Sequence, residues 1–489
     1  MIRRIVRKIR HYLGRGLRYV MPSLTEKISS RYSPANGISN AEYIKICNEL
    51  IGMGDDPILV RDELLKLERS EQNLSRIEVI LYLMDRHPRP HIVNYMLCKE
   101  EFKARATVVR SFPTHLWLDI SSICTVECRF CKYTHQELPK KLVSLEQVKA
   151  IEWLKYVRML NLTAGTAEAI SHPRFIDIFS FLRDTYPHLH ISLLTNGRTL
   201  DKKILTALRG RLDALHVSMN ASNEADYNRM IKKGSWQDFD QNMQDMHVIM
   251  KDAERPKISA SFIVSARNQN STVANLEYAA KHGASVVLFH HYYPKYVNDI
   301  HFGRDTLADK LLETESLYFN RELSDKIFEL VRKRGVELGV DVHTPPPFSG
   351  GQKVYINWGV RSLRPPVDEC TDPWMNMYML WGFKSRREEI TICCGMAQDI
   401  GVYFDHDQIA TKEGLHRVWN DPIAQAYRRS ANGENLNPVC AECRKVDRFD
   451  PATVYLDQSV FYEYAGLPVP EHWQNQQLKK TIPLTSINS

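Results

Sequence analysis

Three cysteines, Cys124, Cys128 and Cys131, lie within eight residues of this 489-residue chain. They follow a short apolar run at residues 115–120. Three thiolates suit three corners of a [4Fe–4S] cube, and the fourth iron then stays open to a small molecule. The alternatives are a zinc loop that takes a fourth ligand from elsewhere and three unrelated core cysteines. We therefore expect an iron–sulfur centre with one open coordination position.

The Cys-x-x-x-Cys-x-x-Cys spacing resembles the signature of the radical S-adenosylmethionine (radical SAM) superfamily. The resemblance implies that the amino and carboxylate groups of SAM chelate the open iron. It also implies that an electron from the cluster cleaves SAM and releases a 5′-deoxyadenosyl radical. Phe130 matches the aromatic residue that the family usually has before its last cysteine. The resemblance implies that this aromatic ring packs near the adenine of SAM.

A second segment, residues 162–173, is similar to the Gly-Gly-Glu-Pro segment of the same family. The resemblance implies that backbone groups and one carboxylate hold the cationic amine of SAM. Gly165 and Thr166 are small enough for close backbone approach, and Glu168 would supply the carboxylate. Ala167 and Ala169 depart from the Gly and Pro that are commonest there, and this departure does not change the role of Glu168.

Six short apolar runs alternate with amphipathic helical patterns after residue 115, such as those at 144–156, 173–186 and 202–209. The first of these patterns has a helix start, with Ser144 as N-cap and Gln147 at the third position. The predicted strands are 115–120, 159–163, 190–195, 214–219, 258–264 and 285–290. Strands that alternate with helices predict an α/β fold with a parallel sheet, here a partial (β/α)6 radical SAM barrel. Active sites in such sheets lie at the carboxyl ends of the strands, where the motif residues fall.

Polar residues at three further strand ends are candidate SAM contacts. Thr195-Asn196-Gly197 matches a common family turn, although Asn-Gly is also simply a good turn former. Ser218 and Asn220 share one face by the two-residue period of a strand. The resemblance implies that they bond the ribose hydroxyls or carboxylate of SAM. After the fifth strand, Arg267 and Asn268 are alternative candidates to reach the SAM carboxylate or the substrate, and we take Asn268.

Five more cysteines and the segment between them are similar to the C-terminal SPASM/Twitch extension of radical SAM enzymes. Cys370, one of the pair Cys393 and Cys394, Cys440 and Cys443 supply four ligands. Four thiolates suffice for one closed auxiliary [4Fe–4S] cluster, and the alternative is a structural zinc ion. The single-cluster, Twitch-like form is therefore favoured.

The adjacent cysteines Cys393 and Cys394 are not expected to bind one cluster together, because neighbouring side chains of a strand point to opposite faces. The sequence leaves open which of the two is the ligand. We assign Cys393 to the cluster and treat Cys394 as the spare thiol. That thiol is either inert packing or a hydrogen-atom donor to a substrate radical, as in some epimerases of the family.

The net charge of +7 is concentrated at the N-terminus, since residues 1–31 carry nine Lys or Arg and one Glu. The rest of the chain is close to neutral, so nucleic acid is not an expected partner. Residues 1–22 fit a basic amphipathic helix, which either contacts an anionic membrane as a peripheral surface or docks on protein. We find no secretory signal and no run of ~20 apolar residues. Clustered cysteines favour a reducing cytoplasmic location, with membrane contact at its inner face.

The domain boundaries follow from these patterns. They are residues 1–39 (basic helix and linker), 40–110 (helical N-terminal domain), 111–300 (barrel), 301–365 (connecting helix and loop), 366–450 (auxiliary cluster domain) and 451–489 (tail).

The chain is therefore expected to be a radical SAM oxidoreductase or epimerase, with a flavodoxin- or ferredoxin-type electron donor. The favoured substrate is carbohydrate-like, lipid-linked or another small molecule, since no peptide-binding hairpin is evident before the barrel. The alternatives are a peptide-modifying maturase and a non-catalytic Fe–S or zinc scaffold.

Overall fold

The computed structural model describes most of the barrel region and parts of the flanking segments. The described residues are 45, 46, 49, 76–131, 140–163, 167–292, 315–317, 320–349, 355–357, 360–362, 369–381, 388–393, 402–432, 436, 440 and 466–468. The chain divides into two compact units, Met1–Glu101 and Phe102–Ser489. The amphipathic helix predicted for residues 1–22 lies outside the described residues.

The first unit is helical where it is described. Its helices are α1 (Arg76–Met84) and α2 (Pro90–Lys103), the second of which extends two residues past the unit boundary. Val79, Ile80 and Leu83 are fully buried, as their spacing of three and four on one helix face predicts.

The second unit alternates strands and helices. Up to residue 291 these are β1 (His115–Leu118), β2 (Glu127–Cys128), α3 (Leu145–Ala150), β3 (Met159–Asn161), α4 (Phe175–Thr185), β4 (His190–Thr195), α5 (Lys202–Leu208), β5 (Ala214–Ser218), α6 (Glu224–Met230), β6 (Ile231–Lys233), α7 (Trp236–Met250), β7 (Lys257–Val264), α8 (Thr272–Lys281) and β8 (Val286–His291). Short 3-10 turns cover Glu152–Tyr156, Ala169–Ser171 and Gln269–Ser271.

The C-terminal part of the second unit adds shorter elements. These are α9 (Arg321–Leu338), β9 (Asp341–His343), β10 (Tyr355–Asn357), β11 (Val360–Ser362), α10 (Asp372–Met375), β12 (Asn376–Trp381), β13 (Glu388–Thr391), β14 (Val402–Tyr403), α11 (His406–Ile409), α12 (Lys412–Trp419) and α13 (Pro422–Ser430).

One sheet of ten described strands dominates the second unit, in the order β14-β13-β12-β1-β3-β4-β5-β7-β8-β9. The strands from β12 to β9 pair in parallel, whereas β13 and β14 are antiparallel. The six predicted strands correspond to β1, β3, β4, β5, β7 and β8, which confirms the α/β class with a parallel central sheet consistent with a partial barrel. The predicted helix start at Ser144 is also present, with a complete capping box to Gln147.

Strand β12 pairs in parallel with β1, so a segment beyond residue 370 extends the barrel sheet. Its register sets Trp117 opposite Tyr378, and their rings stack at 4.2 Å. Strands β12, β13 and β14, which lie within the predicted cluster domain at 366–450, thus belong to the same sheet as the barrel strands.

The two faces of the sheet differ in chemistry. Leu215 and Val217 are fully buried, and Val217 lies near α7 side chains on the helical side. His216 and Ser218 alternate with them and therefore face the opposite, concave side. That side is the lumen of the partial barrel.

Within the described residues, no helix combines the length and apolar character that crossing a bilayer requires.

Candidate active site

The three cysteines of the first motif lie in a loop that β6 holds in place. Cys128 is in β2 and pairs with Ile231 of β6. The amide of Arg129 donates to the Met230 carbonyl at 3.0 Å, and the amide of Cys131 donates to the Cys128 carbonyl at 3.1 Å. Backbone bonds on both sides of Cys128 therefore fix the loop beside the carboxyl ends of the strands.

The thiols of this loop lie close enough to influence one another. The pKa of Cys124 is raised to about 12, mainly by burial and in smaller part by nearby Glu168 and Cys131. Burial and the two other thiols also raise the pKa of Cys128 well above its usual range. Such thiolates need nearby positive charge, which an iron core supplies when bound. Among the described side chains, no three His, Cys, Asp or Glu are placed to hold one metal ion. In a [4Fe–4S] cube each thiolate binds a different iron, so the three thiols need not converge on one point, and their chemistry fits such a cluster.

Glu168 is a buried carboxylate beside that loop. Its backbone amide donates to the Ile123 carbonyl at 3.1 Å, and its Oε2 accepts from the Asn196 amide at 2.7 Å. Among the described residues, none gives Oε1 a hydrogen bond of ordinary geometry, although the side chain is only 2% exposed. Burial raises the pKa of Glu168 to about 7, against opposing hydrogen bonds from Asn196, Thr195 and Ile170. A buried carboxylate oxygen without a partner calls for a cation or a donor.

The turn after β4 joins Glu168 to the cysteine loop. Asn196 presents its backbone amide to Glu168 and its side-chain Nδ2 to Cys124 Sγ at 3.7 Å. Gly197 has φ +78°, and an added Cβ would lie 3.0 Å from Phe239 and Met243 side-chain atoms, so the turn requires glycine. The Asn242 amide donates to the Gly197 carbonyl at 3.1 Å. This Asn-Gly pair therefore serves the site and not the turn alone.

Asn220 and Asn268 lie together at the ends of β5 and β7. Asn220, in the left-handed region at φ 59°, accepts from the Ile263 amide at 3.0 Å and lies 3.4 Å from the Ser218 hydroxyl. Asn268 accepts from the Ser265 amide at 2.8 Å and donates to the Ile263 carbonyl at 2.8 Å. The side-chain amides of Asn220 and Asn268 thus hydrogen-bond the backbone at the strand ends. Of the three polar groups, the half-buried Ser218 hydroxyl is the one most available to bind a ligand.

Phe130 and Ile263 both pack against the buried ring of Tyr292. A small cavity lies here, lined by Arg129, Phe130, Met230, Ser265, Tyr292 and Glu315. Arg267 forms an ion pair with Glu315 at 2.5 Å, and Arg129 lies 3.6 Å from the same carboxylate. The predicted aromatic thus lines a cavity beside the loop.

His216 projects into the lumen from β5. Its Nδ1 lies 2.8 Å from the Ser259 hydroxyl, and its Nε2 lies 2.8 Å from the Ser261 hydroxyl. The pKa of His216 is lowered to about 4, mainly by burial and in smaller part by nearby His290. The ring is therefore uncharged at neutral pH.

We expect His216→Gln to reduce the acid sensitivity of the fold. The unfolded histidine takes up a proton below pH 6.5, whereas the folded ring resists protonation until about pH 4. Stability is thus lost as the pH falls, by about 1 kcal/mol at pH 5.5. Thermal melts at pH 7.5 and 5.5 should show a smaller loss for His216→Gln than for the unaltered protein. Equal losses in the two proteins would contradict this ionisation behaviour.

The predicted auxiliary ligands are described only in part. Cys370 is clamped by Asn432, whose Oδ1 accepts from the Cys370 amide at 2.6 Å and whose Nδ2 donates to its carbonyl at 2.9 Å. Cys393 is buried just after β13, and Cys440 is half-buried. Gly165, Thr166, Cys394 and Cys443 lie outside the described residues.

Sequence reasoning singled out the strand ends and overlooked the inner surface of the strands. Residues His216, Ser259 and Ser261 are polar at every second position of β5 and β7, which is the signal that a wetted inner face gives. The bonds of Asn432 and Asn242 carry no comparable sequence signal, because both depend on long-range packing.

One known protein family matches the central part of the chain. Residues 118–270 match the family model described as the radical SAM superfamily. The GTP 3′,8-cyclase of Paenarthrobacter nicotinovorans is 28% identical over 127 residues, which are 24% of this chain and 35% of that protein. The chain therefore matches about a third of the length of this curated relative.

Solved structures with a similar arrangement include Streptococcus suis SuiB bound to S-adenosylmethionine. It is 13% identical with a TM-score of 0.49, over 78% of this chain and 82% of that one. Another is native anSMEcpe with bound AdoMet and Cp18Cys peptide, at 11% identity and a TM-score of 0.44, over 73% and 97% of the two chains.

Proposed function

Because residues 118–270 are a radical SAM superfamily domain, we propose that this chain is an enzyme that cleaves SAM reductively. The family implies SAM and a [4Fe–4S] cluster, and Cys124, Cys128 and Cys131 are the residues that would hold that cluster. When bound, it supplies the electron that breaks the sulfonium C–S bond. The remaining tasks belong to side chains of the lumen and of the strand ends.

The observation that carries this proposal is the state of Glu168. One of its oxygens is bonded by the Asn196 amide, and the other is buried near Cys124 with no hydrogen bond of ordinary geometry from the described residues. A cationic amine would complete that carboxylate, and SAM has such an amine. Gly165 and Thr166 would offer backbone groups to the same amine, and Ser218, Asn220 and Asn268 would line the ribose side. Phe130 would pack near the adenine.

We propose that the radical abstracts a hydrogen atom from a carbohydrate-like, lipid-linked or other small substrate, with dehydrogenation or epimerisation as the outcome. In an epimerisation Cys394 would return a hydrogen atom to the substrate. The alternative is a peptide-modifying maturase, which would use the same SAM site.

An auxiliary [4Fe–4S] cluster on Cys370, Cys393, Cys440 and Cys443 belongs to this proposal. The double hydrogen bond of Asn432 supports it, because it fixes the backbone of one ligand before any metal is bound. Such a cluster would accept the substrate electron in a dehydrogenation, or would be structural in a redox-neutral reaction. Residues 366–450 would carry it as a functional unit.

The proposed electron donor and cellular location are those expected from the sequence. A flavodoxin- or ferredoxin-type protein would supply electrons in the cytoplasm. Residues 1–22 would contact the inner face of the membrane as a peripheral surface.

An anaerobic assay separates the enzyme from a scaffold. The chain is reconstituted with iron and sulfide to about eight irons, as two clusters require. Dithionite and SAM are then added, and 5′-deoxyadenosine is quantified. Failure to form 5′-deoxyadenosine at full iron content would leave the Fe–S or zinc scaffold as the better description.

We expect Asn196→Ala to make the SAM-binding cluster harder to reduce. Its Nδ2 donates toward Cys124 Sγ, and an N–H···S contact favours the more negative, reduced cluster. A hydrogen bond worth roughly 0.5–1.5 kcal/mol corresponds to about 20–60 mV for one electron. The midpoint potential, followed by electron paramagnetic resonance during a redox titration, should become more negative by that amount.

The control is Asn320→Ala, which removes an amide that caps α9 far along the chain. It should leave the potential unchanged. An unshifted potential in Asn196→Ala would show that its amide does not influence the cluster.

A further inference from the structure

The lumen face of the central strands carries a belt of polar, uncharged side chains, which we call the inner belt. Its members are Asn161 on β3, Ser192 on β4, His216 on β5, Ser259 and Ser261 on β7, and His290 on β8. Backbone pairing sets Asn161 opposite Ser192 and His216 opposite Ser259. Asn161, Ser192, His216 and Ser259 lie deeper along the strands than Ser218, whereas Ser261 is in register with Ser218 and His290 is opposite Ile263, nearer the carboxyl ends. The belt therefore runs from the interior of the lumen up to the proposed SAM contacts.

The centre of the belt is His216 with its two serines. A neutral imidazole has one donor and one acceptor nitrogen, so one serine accepts its N–H and the other donates to its bare nitrogen. The first serine keeps its own O–H free to donate, and the second keeps lone pairs free to accept. The trio therefore offers one donor and one acceptor hydroxyl to a ligand, and the tautomer decides which is which.

The side chains at the two ends of the inner belt have hydrogen-bonding groups that no described residue uses. Ser192 donates to Oδ1 of Asn161, and the Asn161 amide nitrogen bonds to nothing among the described residues. His290 makes no hydrogen bond with the part of the chain that is described. Burial lowers the pKa of His290, and its neighbour His216 is likewise neutral. The donors and acceptors thus face the lumen without a formal charge.

These properties discriminate between ligand classes. A charged group placed against the belt would lose water without gaining an opposite charge, which is costly in a buried site. An apolar group would leave the amide of Asn161 and the ring of His290 without partners, which is also costly. An uncharged group with several hydroxyls satisfies both requirements, because each hydroxyl donates and accepts.

An aromatic wall adjoins the belt at β1 and β12. Trp117 and Tyr378 are half-buried, stack at 4.2 Å with 14° between their planes, and Trp117 pairs in register with Asn161. Flat aromatic surfaces bury C–H groups well and leave the polar edges of a ligand to other partners. A ring with an apolar face and a hydroxylated rim matches this combination.

We propose that the inner belt is the substrate-binding surface of this enzyme and that it selects an uncharged, polyhydroxylated ring. This inference rests on the proposed SAM chemistry, since only then does the lumen hold a substrate. It goes further by naming the residues that bind the substrate and the chemistry that they accept.

The test measures ligand binding directly, apart from turnover. Reconstituted protein with SAM is examined by saturation-transfer NMR with three probes: methyl α-D-glucopyranoside, methyl α-D-glucopyranosiduronate and the blocked peptide acetyl-glycyl-glycinamide. We expect the neutral glucoside to bind about 10-fold or more tightly than the charged uronate. The double variant Ser259→Ala/Ser261→Ala should weaken glucoside binding by about 10-fold or more, because two neutral hydrogen bonds are lost.

The matched control is Ser180→Ala, which removes a hydroxyl on α4 outside the strands of the belt and should leave glucoside binding unchanged. If the double variant does not fold, Ser261→Ala alone provides the comparison. Glucoside binding that is absent, or that survives the serine substitutions, would overturn the assignment. Peptide binding that is lost with the same serines would overturn the choice of a polyhydroxylated ring.

Formation of 5′-deoxyadenosine is measured on the same preparations. Cleavage without glucoside binding would refute the inner belt and leave the proposed function standing. Absence of cleavage would instead refute the proposed function.

Discussion

Cys128→Ala is expected to abolish SAM cleavage and to lower the iron content by the equivalent of one cluster. Cys128 is the middle of the three thiols, and its backbone is fixed by pairing with Ile231. With two thiolates left, the loop cannot hold three corners of a cube. Loss of an outer-shell partner alone costs about 10- to 100-fold in such sites, so removing a ligand should lower the 5′-deoxyadenosine rate by more than about 100-fold.

Two further cysteine substitutions show whether this loss is specific. Cys98→Ala removes a buried thiol of α2 and should keep both iron content and cleavage. Cys440→Ala should keep cleavage and lose turnover of substrate, because it would remove a ligand of the proposed auxiliary cluster only. If the Cys128→Ala protein still formed 5′-deoxyadenosine, the assignment of the three ligands would be wrong.

The strands could be predicted because their signal is local. The predicted runs at 190–195 and 258–264 match β4 exactly in extent and β7 to within one residue, since apolar side chains at alternate positions define a half-buried strand. The capping box of Ser144 and Gln147 was equally legible from four consecutive residues. The predicted helix over 144–156 nevertheless divides, because Ile151 has an extended backbone between α3 and a 3-10 turn.

Features that join distant parts of the chain could not be predicted in the same way. The pairing of β12 with β1 connects residues about 260 positions apart, and no periodic pattern encodes which strand lies beside which. The same reason applies to Asn432, which binds the backbone of Cys370 from 62 residues away. The role of Asn196 was partly visible in the sequence, but its contact with Cys124 depends on two loops that meet only in the fold.

Glu168→Gln is expected to separate ligand binding from stability, because the two should change in opposite directions. Glutamine keeps the size of the side chain and an oxygen that can accept from the Asn196 amide, but it has no charge. Breaking a buried charge pair costs about 3–5 kcal/mol, so the Kd for SAM should rise by at least about 100-fold. Anaerobic equilibrium dialysis with labelled SAM measures this change, and the iron content should be unaltered.

Without SAM, the same substitution should stabilise the protein above neutral pH. Burial raises the pKa of Glu168 from 4.5 to about 7. Because this pKa is higher in the folded protein, Glu168 loses its proton at a lower pH in the unfolded chain than in the folded one. The free energy of unfolding therefore falls as the pH rises from 4.5 to 7, and it stays low above pH 7. That loss is about 3 kcal/mol at pH 8, and Glu168→Gln avoids it.

The exposed carboxylate of Glu146 on α3 provides the control, and Glu146→Gln should change neither the Kd nor the melting temperature at pH 8. A carboxylate kept for structure would behave differently, because its loss would lower the melting temperature and leave SAM binding intact. A higher melting temperature together with weaker SAM binding is the pattern that only a buried carboxylate whose charge binds a cationic ligand would give. Loss of both in Glu168→Gln would mean that the carboxylate holds the loop and does not recognise SAM.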